Sequence, residues 1–200
     1  MIAATHGLIF QKISMTGQGT LQLGKRIAVI GNSGSGKSTL AKAIAQRRGL
    51  TYIDSDALLW KPDWVERPRP EFHGLLKEAV AGDGWTLDGN LGSRNEIVLP
   101  RTDTVIWLDY SRHLQMARLF RRTVKRAWTG EVIFSGNRES WRLSFASRES
   151  ILLYGWKTHH HYKRAYEKLF ADSPVDHITW HRLTHPRQAD ALVRALGNPA

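Results

Sequence analysis

One octet constrains this chain more than any other feature. It runs Gly31-Asn32-Ser33-Gly34-Ser35-Gly36-Lys37-Ser38 and fills every fixed position of the phosphate-binding loop G-x-x-x-x-G-K-[ST]. The glycines leave backbone N–H groups free to surround a polyphosphate, because no side chain blocks the approach. Lysine at this place in the motif contacts the β and γ phosphates, and the hydroxyl that follows it is a Mg²⁺ ligand. The octet therefore predicts a site for a nucleoside triphosphate, which we assign to residues 31–39 including Thr39.

The segments on either side of the octet have the secondary-structure types that the motif requires, a strand before it and a helix after it. Residues 26–30 form a short apolar run typical of a strand, and residues 39–48 have helical periodicity that ends in two arginines and Gly49. The order strand, loop, helix points the positive end of a helix at the bound anion. We therefore expect Lys37 to contact the terminal phosphates of ATP and Ser38 to ligate Mg²⁺.

Strand-type and helical segments alternate along the rest of the chain. Further strands are predicted at 50–54, 85–88, 104–109 and 177–180, and helices at 71–81, 111–128, 139–170 and 186–196. This alternation predicts an α/β fold of three layers, with a mainly parallel five-stranded sheet covered by helices on both faces. Ligands of such sheets bind at the carboxyl ends of the strands. We expect one domain over 1–200, with an N-terminal extension at 1–24 that holds a short hairpin of strands 8–13 and 20–23.

The composition limits the classes of function. There is no cysteine, which excludes disulfides and thiol chemistry and fits a reducing cytoplasm. No run approaches the roughly eighteen apolar residues of a membrane span, so we expect a soluble, cytoplasmic protein with no membrane partner. The net charge is +11, and the segment 112–168 holds thirteen Lys and Arg against four Glu, or +9. Such a segment favours an anionic partner, either the phosphates of a small nucleotide or a nucleic-acid backbone.

Four motifs together resemble a known group of proteins. They are the phosphate loop with its flanks at 30–41, Asp54-Ser55-Asp56-Ala57-Leu58-Leu59-Trp60-Lys61-Pro62, Leu87-Asp88-Gly89-Asn90 and Val105-Ile106-Trp107-Leu108-Asp109. This set resembles small nucleotide kinases and shikimate kinases of the P-loop NTPase fold, and most closely the adenylate kinase-like group labelled DNA topology modulation proteins. The resemblance implies an ATP- and Mg²⁺-dependent kinase with a small-molecule acceptor and a lid-like segment at about 123–150.

The resemblance also implies roles for the acidic residues. Asp88 matches the acid that holds the metal through water, and Asp109, at the end of the next predicted strand, is its rival. Asp54 and Asp56 resemble the Asp-x-Asp pair of shikimate kinases, in which the first acid lies near the metal and the second contacts the acceptor. If the strand continues, their side chains point to opposite sides, and Asp56 is equally well explained as a helix cap.

Other candidates concern the acceptor and the transferred group. Arg94 could replace the acceptor-binding arginine of adenylate kinases, although its spacing differs, and Trp60 with Trp64 could form an acceptor wall or pack in the core. Arg122 is our first candidate and Arg118 the second for stabilising the transferring phosphoryl group, and Arg121 shares their helix. The lid-like segment adds four arginines without individual roles, namely Arg126, Arg138, Arg142 and Arg148.

Two hypotheses follow. The first is a kinase that transfers the γ-phosphoryl group of Mg·ATP to a small nucleotide, nucleoside or hydroxyl-bearing acceptor, with Lys37, Arg122, Arg118 and Asp88 as catalytic residues. The alternative is an ATP-binding, nucleic-acid-associated protein that uses the basic segment 112–168. The three consecutive residues His159, His160 and His161 do not favour a metal site, because helical neighbours point about 100° apart. The oligomeric state is left open.

Overall fold

A computed structural model describes residues 23–138, 151–171 and 177–197 of the chain. A five-stranded sheet forms its centre, with strands β1 Arg26–Gly31, β2 Thr51–Asp54, β3 Trp85–Asp88, β4 Thr104–Leu108 and β5 Thr179–Leu183. The strand order is β2-β3-β1-β4-β5, and every pairing is parallel. The predicted parallel α/β sheet is confirmed, with the phosphate-loop strand β1 at its middle.

Seven helices surround this sheet in the described part of the chain. They are α1 Lys37–Arg48, α2 Ser55–Leu59, α3 Arg69–Ala79, α4 Asn95–Val98, α5 Arg112–Thr129, α6 Ile151–Ala171 and α7 Pro186–Ala195. Among these helices, none is both long and apolar enough to span a membrane.

Alternate residues of β1 face two separate cores, as the two-residue period of a strand requires. Ile27 and Val29 pack in the core that includes residues of α1 and α7. Ala28 and Ile30 pack in the core that includes residues of α3, α4 and α6. Helices therefore cover both faces of the sheet, which gives the predicted three layers.

Most element ends agree with the sequence signals. Gly49 ends α1 in the left-handed conformation, with φ 61°, and the Ser111 hydroxyl accepts a hydrogen bond from the Leu114 amide at the start of α5. The last strand begins at Thr179 rather than at 177, because Thr179 is the residue that pairs with Thr104. The short helix α2 was not predicted.

Several predictions fall on residues that are not described. They include the hairpin strand 8–13, nearly all of strand 20–23, and residues 139–150, which hold Arg142 and Arg148. Of the segment predicted to be lid-like, residues 123–129 continue α5 to Thr129, and Phe134–Gly136 form a single 3-10 turn.

Candidate nucleotide and acceptor site

The phosphate loop, residues 31–38, connects β1 to α1 and packs against α5. Gly34 has φ +79°, and a Cβ at this position would lie 2.3 Å from the carbonyl oxygen of Gln115 on α5. Only glycine fits there, because both the backbone angle and the close approach exclude a side chain. Helix α5 therefore lies directly against the loop.

The loop presents donors that no described residue satisfies. Gly36 is the N-cap of α1 and provides no side-chain cap, so the first amides of the helix depend on another partner. The hydroxyl of Ser35 is also buried without a hydrogen-bond partner among the described residues. Unpaired donors at the positive end of a helix fit phosphate oxygens, and Ser38 and Thr39 lie exposed at the same end.

Lys37 lies among the charged residues of the site. Its ammonium group donates a hydrogen bond to the carbonyl oxygen of Asn32 over 3.2 Å. Burial lowers the pKa of Lys37, the charges of Asp88 and Asp56 oppose that effect, and Arg122 and Arg94 add to it. Four of the residues singled out in the sequence thus lie within electrostatic reach of the lysine.

Asp54 and Asp88 end adjacent strands and pair with each other in the register of β2 and β3. The phenol of Tyr52 lies 3.4 Å from Oδ2 of each carboxylate. Burial, followed by the charge of Asp88, raises the pKa of Asp54. Burial and the two carboxylates also raise the pKa of Tyr52. The side chains of Asp54 and Asp88 therefore lie close together at the carboxyl end of the sheet.

The donor set beside the loop fits a magnesium ion. Oδ1 of Asp88 is buried and has no hydrogen-bond partner among the described residues. Carboxylate and hydroxyl oxygens with bound water are the ligands that Mg²⁺ prefers. Asp88 and Asp54, together with the exposed hydroxyl of Ser38, are the residues that would hold the ion.

The structure corrects the expectations for the Asp-x-Asp pair. Asp54, not Asp56, caps α2, since its Oδ1 accepts from the amides of Asp56 and Ala57. The strand ends at Asp54, so the alternation expected for a continuing strand does not apply. Asp56 lies in the first turn of α2, and its side chain is half exposed at 48% and ion-paired with Arg94 over 3.4 Å.

Asp109 is engaged elsewhere. Its Oδ2 accepts from Nε of Arg182 over 2.9 Å, and Lys163 Nζ lies 3.8 Å away. The Asp109 side chain is only 7% exposed. Two cations therefore balance the carboxylate that we named as the rival of Asp88.

The arginines of α5 fall on different sides of the helix. Arg118 donates to the carbonyl oxygen of Ser35 over 3.4 Å, and its guanidinium lies 5.7 Å from the centre of the Tyr110 ring. Arg122 is partly buried and acts on Lys37 electrostatically, whereas Arg121 is exposed. The structure therefore places Arg118 against the phosphate loop and Arg122 within electrostatic reach of Lys37. It leaves Arg121 in solvent.

A cavity of about 740 Å³ opens beside the phosphate loop. Residues of the loop, of α2, of the turn after β3 and of α6 line it, among them Ser33, Asp56, Trp60, Arg94, Tyr154 and Lys157. Trp64 packs edge-on against Trp60, with ring centres 5.6 Å apart. The structure thus brings the three predicted acceptor residues, Asp56, Trp60 and Arg94, to one cavity.

Arg94 supports the cavity wall from within. It is 9% exposed and stacks on Phe72, with its guanidinium 5.1 Å from the ring centre. One terminal nitrogen donates to the Ser55 hydroxyl over 2.8 Å and to the Asn90 carbonyl over 2.9 Å. The other nitrogen is the one that reaches Asp56. Arg94 therefore fixes Asp56 and the turn after β3 as well as lining the cavity.

Sequence reasoning missed the contribution of α6. Tyr154, Lys157, Thr158 and Tyr162 line the cavity and are spaced as one helical face. That spacing was a usable signal. The histidines of α6 face different surroundings: His159 is buried, and its Nε2 lies 3.5 Å from the Tyr110 carbonyl, whereas the His160 ring meets Arg112.

Comparisons with known proteins bear on the fold. The family model described as ABC transporter matches residues 15–75, under a third of the chain, and this stretch includes the phosphate loop. The uncharacterized protein YqaC of Bacillus subtilis (strain 168) is 28% identical over 129 residues, covering 64% of this chain and 72% of that protein. The match to a shikimate kinase of Sulfurihydrogenibium sp. (strain YO3AOP1) is 26% identical over 112 residues, covering 48% of this chain and 66% of the relative.

Among solved structures, a gluconokinase from Sinorhizobium meliloti 1021 superimposes with a TM-score of 0.51 at 18% identity. The superposition covers 88% of this chain and 90% of the gluconokinase. The chain therefore has the three-layer fold of P-loop kinases, with the phosphate loop in its expected place. The resemblance to the DNA topology modulation group stays a prediction.

Proposed function

We propose that this protein is a phosphotransferase that moves the γ-phosphoryl group of Mg·ATP to a small-molecule acceptor. The observation that carries the proposal is the position of Lys37. Its ammonium group is within electrostatic reach of two carboxylates and two guanidinium groups, and the cavity that Asp56 and Arg94 line is also lined by Ser33 of the same loop. Nucleotide and acceptor would therefore meet at the ammonium group.

The residues of the chain supply positioning and charge, which are the main needs of phosphoryl transfer. The loop amides and Lys37 would bind the phosphate oxygens. Arg122 would face the charge that spreads over the transferring group, and Arg118, held against Ser35 and Tyr110, would lie on the nucleotide side. A Mg²⁺ ion held by Ser38, Asp88 and Asp54 would neutralise charge on the β and γ oxygens.

We expect Asp56 to orient the acceptor. Its half-exposed carboxylate lines the cavity and is held by Arg94. A carboxylate in this position accepts a hydrogen bond from an acceptor hydroxyl and aligns its oxygen for attack. Trp60 and Tyr154 would enclose the rest of the acceptor and exclude water, which limits wasteful hydrolysis.

The nucleic-acid hypothesis has less support. Two basic residues of the segment 112–168 act at the phosphate loop, Arg118 by a hydrogen bond to Ser35 and Arg122 electrostatically on Lys37. A bound nucleotide would therefore account for part of the positive charge of the segment. We retain nucleic-acid binding as a secondary proposal, recognisable by a steep loss of affinity as the salt concentration rises. The further assignments of one domain over 1–200 and a cytoplasmic location remain proposals.

The test is an acceptor panel. The purified chain is incubated with Mg·ATP and each of a set of polyols, hydroxy acids, nucleosides and nucleoside monophosphates, and ADP release is followed with product identification. We expect acceptor-dependent ADP release with at least one class. Hydrolysis that no acceptor stimulates would count against a kinase.

Matched lysine variants separate this activity from a contaminating kinase. Lys37→Met removes the ammonium group at the phosphates, and we expect it to lower kcat by about 10² to 10³, the usual cost of losing one such donor. Lys77→Met is the control, because Lys77 is exposed on α3. Equal rates in the two variants would show that the activity does not arise at this site.

A further inference from the structure

Two short turns from distant parts of the chain are joined beside the acceptor cavity. The first, residues 60–66, is closed by the bridge between Trp60 and Glu66, and the second, residues 132–138, by the bridge between Val132 and Arg138. We refer to them as the paired turns. The first carries Trp60 of the cavity wall, and the second follows α5, the helix of Arg118 and Arg122.

Asn137 makes the central contact between the paired turns. Its side-chain amide donates to the carbonyl oxygen of Lys61 over 2.9 Å, and its Oδ1 accepts from the amide of Trp64 over 3.0 Å. Asn137 is 5% exposed, so these two bonds satisfy an amide that would otherwise be buried at a cost. The paired turns, which the structure describes in full, make no backbone–backbone hydrogen bond with each other, and the Asn137 side chain connects them instead.

Two further contacts fix the tryptophans themselves. The Ser135 hydroxyl donates to the carbonyl oxygen of Trp60 over 2.6 Å. The indole nitrogen of Trp64 donates to the carbonyl oxygen of Arg138 over 3.4 Å. Since Trp64 packs edge-on against Trp60, the contacts of both residues act on Trp60, which lines the cavity.

The backbone at this junction is held in an unfavourable conformation. Asp63, Trp64 and Ser135 have φ of 60°, 58° and 52°, and they are the non-glycine residues with positive φ in the described chain. Such conformations persist only where the surroundings over-determine them, and they concentrate at ligand-binding sites. Their meeting at the paired turns indicates that the contact between the turns serves the cavity.

We propose that Asn137 is a positioning residue for the acceptor, which acts by holding Trp60 in the cavity wall. The inference rests on the proposed function, since it concerns the acceptor side of that site. Asn137 contacts neither the phosphate loop nor its charged residues through the bonds described above. Its loss is therefore expected to affect acceptor binding and to spare ATP.

A spectroscopic test needs no acceptor. The indole N–H resonances of Trp60 and Trp64 are assigned with Trp60→Phe and Trp64→Phe and then compared in Asn137→Ala. Both resonances should shift, whereas Val132→Ala, which alters a side chain 54% exposed on the same turn, should leave them in place. Unchanged resonances in Asn137→Ala would overturn the inference.

The kinetic test uses the acceptor that the panel identifies. For Asn137→Ala we expect the acceptor KM to rise about tenfold, because the variant loses two buried hydrogen bonds that hold the cavity wall. The ATP KM and kcat should stay within about twofold of the wild-type values. A fall in kcat with the acceptor KM unchanged would indicate a merely structural role and overturn the inference. Should Asn137→Ala not fold, Ser135→Ala removes one bond and should raise the same KM by a smaller factor.

The two proposals can fail separately. A wild-type chain that phosphorylates no acceptor refutes the proposed function and the expected change in acceptor KM together. The indole resonances then still decide whether Asn137 holds Trp60. A wild-type chain that phosphorylates an acceptor, with an Asn137→Ala variant of unchanged acceptor KM, refutes the inference alone.

Discussion

Arg182 donates a hydrogen bond over 2.9 Å to Asp109, the residue that directly follows strand β4. Asp88 ends β3, on the other side of β1, and its Oδ1 is buried without a partner among the described residues. The two carboxylates that flank the central strand therefore differ in their partners, because two cations lie against Oδ2 of Asp109 and Oδ1 of Asp88 is without a described partner. We therefore propose Asp88, rather than its rival Asp109, as the acid that holds the metal.

Replacing each carboxylate tests that difference. Asp88→Asn should raise the Mg²⁺ concentration for half-maximal rate by about 10- to 100-fold, since ligands that act through water typically matter to that extent. Asp109→Asn should leave the Mg²⁺ dependence unchanged, because Asp109 is balanced by Arg182 and Lys163. The measurement is a Mg²⁺ titration of the rate at saturating ATP. Matching shifts in both variants would contradict the assignment.

Arg122 and Arg121 of α5 make a second matched pair of test positions. Arg122→Ala should lower kcat by about 10³, which is the scale known for arginines that stabilise a transferring phosphoryl group. Arg121→Ala should stay within about twofold of wild type, because Arg121 is exposed on the same helix and surface changes of this kind have small effects. Single-turnover rates measure the chemical step. If Arg121 proves the more sensitive position, the orientation of α5 described here is wrong.

Two glycines with similar backbone angles isolate the effect of close packing. Gly49→Ala places a Cβ in open space at φ +61° and should cost about 1 kcal/mol of unfolding free energy. Gly34→Ala, at φ +79°, drives a Cβ into the Gln115 carbonyl and should cost about 2 kcal/mol more. Urea unfolding gives both values. Only Gly34→Ala should also weaken binding of a non-hydrolysable ATP analogue, and equal losses of affinity would contradict this account of the loop.

Stability should fall at mildly acidic pH. His181 is 5% exposed, its ring nitrogens have no hydrogen-bond partner among the described residues, and burial lowers its pKa below 6.5. As the pH falls below 6.5, the unfolded chain binds a proton that the folded chain does not, so the unfolding free energy decreases. Burial lowers the pKa of His159 as well, in the same direction.

The histidine responsible can be identified by substitution. Urea unfolding at about pH 7.5 and about pH 5.5 measures the loss of stability across the titration of the unfolded chain. His181→Phe should reduce that loss, and His177→Phe, at an exposed position, should leave it unchanged. A loss that is identical in wild type and His181→Phe would assign the pH dependence to other groups.

The sequence predicted the parts of this fold that local signals specify. The phosphate loop, the apolar strand before it and the helix after it, which ends at Gly49, all depend on neighbouring residues, and these elements are confirmed. The start of β5 was wrong by two residues, because Thr179 is placed by its pairing with Thr104 on β4. The cap at Asp54 was missed because a strand that ends in a helix start has the same local pattern as a strand that continues.

The acceptor side was less predictable, since long-range contacts build it. Ser135 and Trp60 are 75 positions apart in the chain, and no periodicity relates them. Tyr154 and Tyr162 of α6 line the cavity, and the side-chain amide of Asn32 in the phosphate loop donates a hydrogen bond to the Gly155 carbonyl of the same helix. Short, polar turns have no hydrophobic periodicity that would indicate what they pack against. Their contact partners therefore cannot be predicted from the sequence before the fold is known.

Because α6 meets the phosphate loop at Gly155 and lines the neighbouring cavity with Tyr154 and Lys157, both parts of the candidate site have one support in common. A Cβ at Gly155 would come within 2.8 Å of Cδ2 of the buried Leu119, so a larger residue there would require that leucine side chain to shift. Selection or design for a new compound is therefore expected to exchange the side chains beside Gly155 before the glycine itself.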